Sequence, residues 1–477
     1  MKVVFVTGRF NVLHPGHVRL LRFARECGDR LVVGVEPDSM AGSHAHVPES
    51  LRLEGVRSCT FVDEAFVLDV SPVDAIRRLR PSVVVKGREH ELRYNPELAA
   101  LEEYGGKLLF SSGEVEFTSL ELIKREFSGV SSFGCALPAA FMVRHGISVD
   151  RLKELVSLFS NRRVLVVGDV IVDEYVSCDP LGMSQEDPTL VVRPIDTKRF
   201  IGGAAIVAAH AATLGAESSL ISVVGDDPEA FFTLEESRRF GVIPVFAHDD
   251  TRPTTLKTRF RCAGKTLLRV SRLQQGHIAM HLREGLAAAA SKRLEDADVM
   301  IFSDFNYGVI SAELINVLTN RCEQLGVVRA ADSQSSSQIG DIGKFKNMDL
   351  LTPTEREARI STRNPDDGLT VLAEQLRITA SAKNVFLKLG AEGALVCPEA
   401  SDRQPWPPDR IEALNSAPKD VAGAGDSMLV AGSLALASGA NIWEAACLGS
   451  IAAAIQVGRV GNTPVSSVEM MNFIDGR

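Results

Sequence analysis

Two short stretches carry residues whose types and spacing could do chemistry. In GRFNVLHPGH, His14 and His17 flank Pro15 and Gly16. Two imidazoles at this spacing can ligate a metal, pack inside a turn, or donate hydrogen bonds to a phosphate. A metal needs further ligands, and no neighbouring carboxylate or third His completes a set. A packed turn is the simplest reading of the pair alone. The third reading needs a helix to start here, because a helix N-terminus offers unpaired N–H groups and the positive end of a dipole. Gly16 would then let a phosphate approach the backbone, and the imidazoles would stabilise charge as pyrophosphate departs. The second stretch is DVAGAGDSMLVAG at 420–432. Ala422, Gly423, Ala424 and Gly425 can form an anion nest at a helix start. Asp426 just beyond it can accept a proton from an attacking hydroxyl. Ordinary helix capping explains the same residues equally well.

The elements around these stretches decide between the readings. Residues 1–127 alternate β-branched runs with helix-like segments: KVVFVTG, RLVVGVE, CTFVDEAFVL, SVVVKG and KLLFSS, with HVRLLRFAREC and SPVDAIRRLR between them. Such alternation predicts a parallel, doubly wound sheet. Ligands bind such sheets at the carboxyl ends of the strands, and Gly8–His17 follows the first strand. The first helix is expected to bury Val18, Leu20, Leu21 and Ala24. Residues 128–147 read as a linker rich in small residues, followed by a helix in SVDRLKELVSLF. The domains are thus expected at 1–127 and 161–477, with 128–160 as linker and connecting helix. The second α/β block opens with RRVLVVGDVIVDEY at 162–175.

Bulk properties narrow the classes. The chain has 477 residues, more than one ordinary core accommodates. A net charge of −9 argues against a general nucleic-acid or anionic-membrane binder. The eight Cys form no CxxC pair, so no zinc knuckle or redox motif is visible. Scattered single thiols and the lack of a bilayer-length apolar run predict a cytoplasmic protein without a membrane partner.

Several motifs in order carry a resemblance in each half. GRFNVLHPGH, GDRLVVGVEPD, PSVVVKGREH, YGGKLLFSSGE and FTSLELI resemble the HxGH nucleotidyltransferases of the cytidylyltransferase-like family. The resemblance implies a Rossmann-like fold, with His14 and His17 acting on nucleotide phosphates. Gly8, Arg9, Phe10, Gly16, Lys86, Gly87, Thr118 and Ser119 would line the nucleotide. Asn11 stands where an Asp is usual, and the phosphate-gripping Lys after the second strand is missing. Arg52, Lys86, Arg88 and Lys124 are the candidate substitutes.

GDVIVDEY, RFIGGAAIVAAHAATLGA, FSDFNYG, LLTPTEREA, LKLGAEGALV and the GAGD element resemble the ribokinase-like PfkB sugar kinases across 162–477. This resemblance implies an α/β domain with a β-lid, supplied by LGMSQEDPTLVVRPIDTKRF, which often also makes a homodimer contact. Asp426 would be the catalytic base, and Gly423, Ala424 and Gly425 the anion hole behind Ala422. Lys388, Gly390 and Gly393 would lie near ATP. Asp169, Asp173, Gly202, Gly203 and Asp304 would face the sugar. Glu357 would hold Mg²⁺ through water. Ala422 replaces a Thr, Thr354 an Asn, Tyr307 a Lys, and Gln334 lies in an ADSQ stretch where DPK is frequent. Ile206 and His210 replace Asn residues on a surface expected to touch the sugar.

A PfkB kinase joined to an HxGH transferase resembles the bifunctional ADP-heptose synthases, here in reversed order. The resemblance implies phosphorylation of D-glycero-D-manno-heptose 7-phosphate at C1 and adenylylation of heptose 1-phosphate. Its cofactors are ATP and Mg²⁺, and a separate phosphatase acts between the two steps. The alternatives are another sugar phosphate, CTP in place of ATP, or a regulatory protein that binds phosphosugars without turnover.

Overall fold

The computed structural model describes residues 2–10, 15–41, 47–87, 94–111, 137–262, 265–335, 340–399 and 408–476. The chain divides into two compact units. The first is built on the N-terminal residues. Its sheet contains β1 (Val3–Gly8), β2 (Arg30–Val35), β3 (Glu64–Val67), β4 (Val83–Gly87) and β5 (Lys107–Ser111). The order is β3-β2-β1-β4-β5, and every pairing is parallel. β-Branched runs suit these strands because both sheet faces are covered. Val4, Val6, Leu31 and Val33 enter one core layer, while Phe5, Val32 and Val84 enter the other.

The helix Pro15–Glu26 follows β1, with Pro at its first position, where no N–H is needed. Leu21 and Ala24 are fully buried, as the helical spacing predicts. Val18 is not: it is 37 % exposed, and Phe23 takes the core position instead. Val18 and Phe23 are five residues apart, so at 3.6 residues per turn they point to different faces.

Among the described residues of this unit, Arg52 is the largest side chain that is almost fully buried. Its guanidinium donates to the carbonyls of Arg9 (2.6 Å), Glu36 (2.8 Å) and Val47 (2.8 Å), and pairs with Asp38 (2.5 Å). This corrects its expected role as a substitute phosphate grip, because its donors tie together the loops after β1 and β2. Arg52→Met leaves three carbonyls without their donor. It is expected to lower the unfolding free energy of this unit by about 3 kcal/mol, read as a shifted denaturant midpoint.

The second unit contains a larger sheet and a smaller one. The large sheet uses β6 (Arg163–Gly168), β9 (Glu217–Val224), β10 (Val242–His248), β13 (Val299–Asp304), β14 (Val328–Ser333), β15 (Leu350–Leu351), β16 (Asn384–Lys388) and β17 (Ala394–Cys397). They run β10-β9-β6-β13-β14-β15-β16-β17, parallel except for the last pair. The small sheet is β12-β11-β7-β8, from β7 (Val170–Met183), β8 (Leu190–Gly203), β11 (Thr255–Cys262) and β12 (Lys265–Arg272). β7 and β8 form the long ribbon expected of the lid; β11 and β12 widen it. The small-residue helices Ala204–Thr213 and Ala424–Ala437 pack on each other beside the large sheet, nearly every side chain buried.

The stretch 128–147 expected as a linker contains a short helix, Ala139–Arg144, and the helix expected in SVDRLKELVSLF is Val149–Leu158; both belong to the second unit. Phe141 and Met142 bury against that unit, which a small-residue reading of the stretch overlooks. His145 stacks on Trp443 at 4.0 Å, and Arg151 reaches Glu444 at 3.3 Å. Among the described residues, no helix is long and apolar enough to cross a membrane.

Candidate active sites

In the first unit, β1 pairs with β2 on one side and β4 on the other, so the strand order reverses at β1. The crevice at such a switch point is where open α/β sheets bind ligands. Val6 pairs with Val85, and continuing that register sets Gly8 beside Gly87. The topology thereby brings the end of β1 and the Lys-Gly pair to one place. A Cβ on Gly8 would sit 3.2 Å from the Phe10 ring. Phe10, at φ 49, is folded back into the core. His17 lies in the first turn of the helix Pro15–Glu26, its ring centroid 5.2 Å from that of Phe10. Gly16 precedes it in the same turn. The half-exposed Arg9 guanidinium faces Glu36 at 3.4 Å. Lys86 donates to Glu97 at 2.8 Å, both largely buried, so its charge is held by a carboxylate. His14, Asn11, Thr118, Ser119, Arg88 and Lys124 lie outside the described residues.

In the second unit, Asp426 sits in the first turn of the helix Ala424–Ala437, whose N-cap is Gly423 at φ 78. Only glycine adopts that conformation without strain. Helix geometry leaves the first-turn N–H groups without intrahelical acceptors, which makes an anion seat of the turn. Ala422 contributes differently from expectation: its N–H donates to Asp420 at 3.2 Å, and its carbonyl accepts from Gln456. Gln334 Nε2 donates to Asp426 Oδ1 at 3.2 Å. Burial, together with Asp332 and Asp173, pushes the Asp426 carboxyl up to about 7, against the pull of Lys388 and Lys257. Such a pKa suits a general base at neutral pH.

Lys388 ends β16 and pairs with Asp332 at 2.9 Å. Burial opposes its charge, yet Asp332, Glu357 and Asp426 hold the ammonium above the ordinary lysine range. Gly390 and Gly393, at φ 61 and 89, shape the exposed turn that follows. Glu357 is buried in the helix Glu355–Thr362. Its oxygens accept from Thr354 N (2.7 Å) and Ser335 N (3.0 Å), while Thr354 Oγ1 accepts from Glu357 N (3.3 Å). Thr354 thus caps the helix as an Asn would. Among the described residues, no three His, Cys, Asp or Glu are grouped to hold a metal directly. Glu357, with its oxygens already accepting backbone N–H groups, fits water-mediated contact to Mg²⁺, an ion that keeps several waters.

The expected sugar-facing acids separate into two kinds. Asp173 pairs with Arg259 at 2.5 Å, and a Cβ on Gly202 would collide with its carboxylate. Its charge is among those that raise the Asp426 carboxyl. Asp169 is instead spent on backbone: it accepts from the N–H groups of Phe305 (2.9 Å), Tyr307 (3.2 Å) and Val309 (3.3 Å). Burial and the nearby Asp304 raise its pKa. Asp304 accepts from Ser333 Oγ (2.8 Å) and Asn306 N (3.0 Å) and pairs with Lys344 (2.6 Å). Gly203, at φ 59, caps the helix Ala204–Thr213. Ile206 and His210, expected beside the sugar, are completely buried in that helix. His210 Nδ1 accepts from Val465 N at 3.0 Å, and burial drives its pKa down to about 3, so it is neutral.

The sequence reading missed Lys257 and Arg259 on β11. Lys257 is buried with its ammonium 4.7 Å from the Phe305 ring and 5.5 Å from that of Tyr307. Arg259 lies over Tyr175 at 5.2 Å. The alternation of TLKTRFRC, residues 255–262, is the signal that could have revealed a basic lid strand. A small cleft at this strand is lined by Asp169, Arg252, Thr254, Thr255, Gln274 and Tyr307 among others.

Comparisons with known proteins match the two folds. The pfkB family of carbohydrate kinases matches residues 161–468, and the cytidylyltransferase-like family matches residues 5–104. The bifunctional protein HldE of Desulfatibacillum aliphaticivorans is 30% identical over 319 residues, covering 66% of this chain and 63% of that protein. HldE of Helicobacter hepaticus is 29% identical over 318 residues, covering 65% and 64%. The chain thus spans less than two thirds of the length of these relatives. Ribokinase of Thermotoga maritima superposes with a TM-score of 0.51 at 21% identity, covering 66% of this chain and 99% of that one. Phosphofructokinase-2 of Escherichia coli gives 0.54 at 17% identity, covering 66% and 98%. The fold is therefore a cytidylyltransferase-like unit followed by a ribokinase-like unit.

Proposed function

This chain belongs to the pfkB family of carbohydrate kinases, and from that premise we propose that it joins two steps of nucleotide-sugar synthesis. The C-terminal unit phosphorylates D-glycero-D-manno-heptose 7-phosphate at C1. The N-terminal unit transfers AMP from ATP to heptose 1-phosphate, forming ADP-heptose and pyrophosphate. A separate phosphatase removes the 7-phosphate between the steps. The similarity to HldE proteins and the pairing of the two folds support this reading. The observation that carries the kinase half is Asp426, buried one turn behind a positive-φ glycine and ringed by Lys388, Lys257 and Asp173.

In the kinase step, Asp426 takes the proton of the C1 hydroxyl as its oxygen attacks the γ-phosphorus of ATP. The turn at Gly423–Gly425 receives the transferred group, and Asp173 orients the sugar. Glu357 would hold Mg²⁺ through water, and the ion would supply neutralisation of phosphate charge. In the transferase step, His14 and His17 act on the α-phosphate, and Lys86 and Gly87 serve the nucleotide. Exposed Leu267, Leu268 and Val270 on β12 support a homodimer through the lid.

The test supplies ATP with Mg²⁺ and a panel of sugar 7-, 6- and 1-phosphates, and follows ADP and pyrophosphate separately. Heptose 7-phosphate is expected to elicit ADP, and heptose 1-phosphate pyrophosphate. Neither product with any heptose phosphate overturns the heptose reading. Pyrophosphate released from CTP but not ATP overturns the choice of nucleotide.

A further inference from the structure

The kinase site holds a lysine whose position exceeds what packing requires. Lys388 and Asp332 come from the carboxyl ends of β16 and β14, the edge where α/β sheets place ligands. They are largely buried and 2.9 Å apart. Replacing a buried ion pair by apolar residues is often neutral or stabilising, so the fold gains little by keeping one. The pair is also incompletely satisfied: Asp332 Oδ1 is buried without a hydrogen-bond partner among the described residues. Such a group in a native fold calls for an explanation beyond packing.

The surroundings supply one. A Cβ on Gly425 would stand 2.9 Å from Lys388 Nζ and 3.4 Å from its Cδ. The lysine therefore lies directly against the turn that seats the phosphoryl group, and the missing side chain at Gly425 is what leaves it room. The other lysine acting on Asp426, Lys257, comes from lid strand β11 and faces the rings of Phe305 and Tyr307. One cation thus comes from the lid and one from the sheet edge.

We propose that Lys388 is a further catalytic residue of the kinase: its ammonium exchanges Asp332 for the phosphoryl group in transit over Gly425. This rests on the reading of Asp426 as the base. In the step, the acceptor oxygen forms a bond to the γ-phosphorus, and the bond from that phosphorus to the β–γ bridging oxygen breaks. The hydroxyl proton passes to Asp426, and ADP leaves with the bridging electrons. Lys388 gives up no proton and forms no covalent bond. It offsets the negative charge of the phosphoryl group in transit, and when no nucleotide is bound Asp332 neutralises the ammonium instead. A preorganised cation aimed at developing charge contributes most inside a site closed to water.

The test compares the full-length wild type, Lys388→Met, and the double variant Lys388→Met/Asp332→Asn, which removes both charges together. Titration calorimetry with ADP and with the non-hydrolysable triphosphate AMP-PNP, each with Mg²⁺, reads contact with the γ-phosphate. Acceptor-dependent ADP release reads catalysis. Both variants are expected to lose about 100-fold in kcat with little change in acceptor KM. Both are also expected to lose most of the preference for AMP-PNP over ADP. If Lys388 serves only to neutralise Asp332, the double variant recovers wild-type turnover and preference, and the proposal falls. If the single variant does not fold, the double variant decides alone. If the wild type shows no acceptor-dependent ADP release, the acceptor reading fails. The nucleotide arm then decides: unchanged AMP-PNP preference in the double variant overturns the role of Lys388.

Discussion

Asp426→Asn is expected to lower acceptor-dependent ADP release about 10³-fold while making the second unit more stable at pH 8. Both effects come from one buried carboxyl. Burial, with Asp332 and Asp173 nearby, pushes its pKa up to about 7. As a base it must be ionised, so kcat/KM of the wild type rises with pH and levels off above about 7. The stability sign follows from the same shift. A carboxyl whose folded pKa exceeds its unfolded value stabilises the fold fully below the unfolded value, and that contribution is lost as pH rises through the folded one. Asn stays neutral throughout. The variant should therefore match the wild type near pH 4, gain on it as pH rises towards 7, and keep a constant lead above that. Thermal denaturation of both proteins at pH 5 and pH 8 measures the gap. A variant with wild-type ADP release removes Asp426 from the role of base.

His17→Ala is expected to reduce pyrophosphate release by the first unit 10²-fold or more and to leave ADP release unchanged. His17 occupies the first turn of the helix after β1, beside the β1–β4 switch point. It also packs on Phe10 with centroids 5.2 Å apart, so alanine removes both a donor and a contact. His17→Leu separates the two, because it restores apolar contact without a donor. If the leucine variant regains pyrophosphate release, His17 is a packing residue.

Much of the architecture was legible because it is written in local pattern. Runs such as VVFV, LVV and VVVKG, bounded by Gly and followed by amphipathic helices, specify parallel strands wherever they stand. The glycine before Asp426 is also local. What escaped the sequence is tertiary. Lys388 and Asp332 are 56 residues apart, and only the adjacency of β14, β15 and β16 unites their ends. Asp169 and Asp304 look like ligands in sequence. Three backbone N–H groups hold the first, and Ser333 and Lys344 hold the second. Ile206 and His210 failed as sugar contacts for the opposite reason: a helix of small residues packs on all sides, so its larger side chains turn inward. Arg52 shows the same limit, since nothing in its neighbours tells that three carbonyls will converge on it.

The two helices before β6 determine where the chain can be divided. Phe141 meets Trp443 edge-on at 6.1 Å, with His145 stacked on the same indole. Leu152, Leu155 and Val156 are buried, and the helix Val149–Leu158 lies on the helix Ser467–Ile474. A kinase fragment begun at residue 161, where the strand pattern opens, would strip this cover from the Trp443 indole and leave a greasy, self-adhesive flank. A cut upstream of residue 137 keeps the flank clothed. Workers wishing to assay or crystallise the kinase half by itself should carry these helices with it.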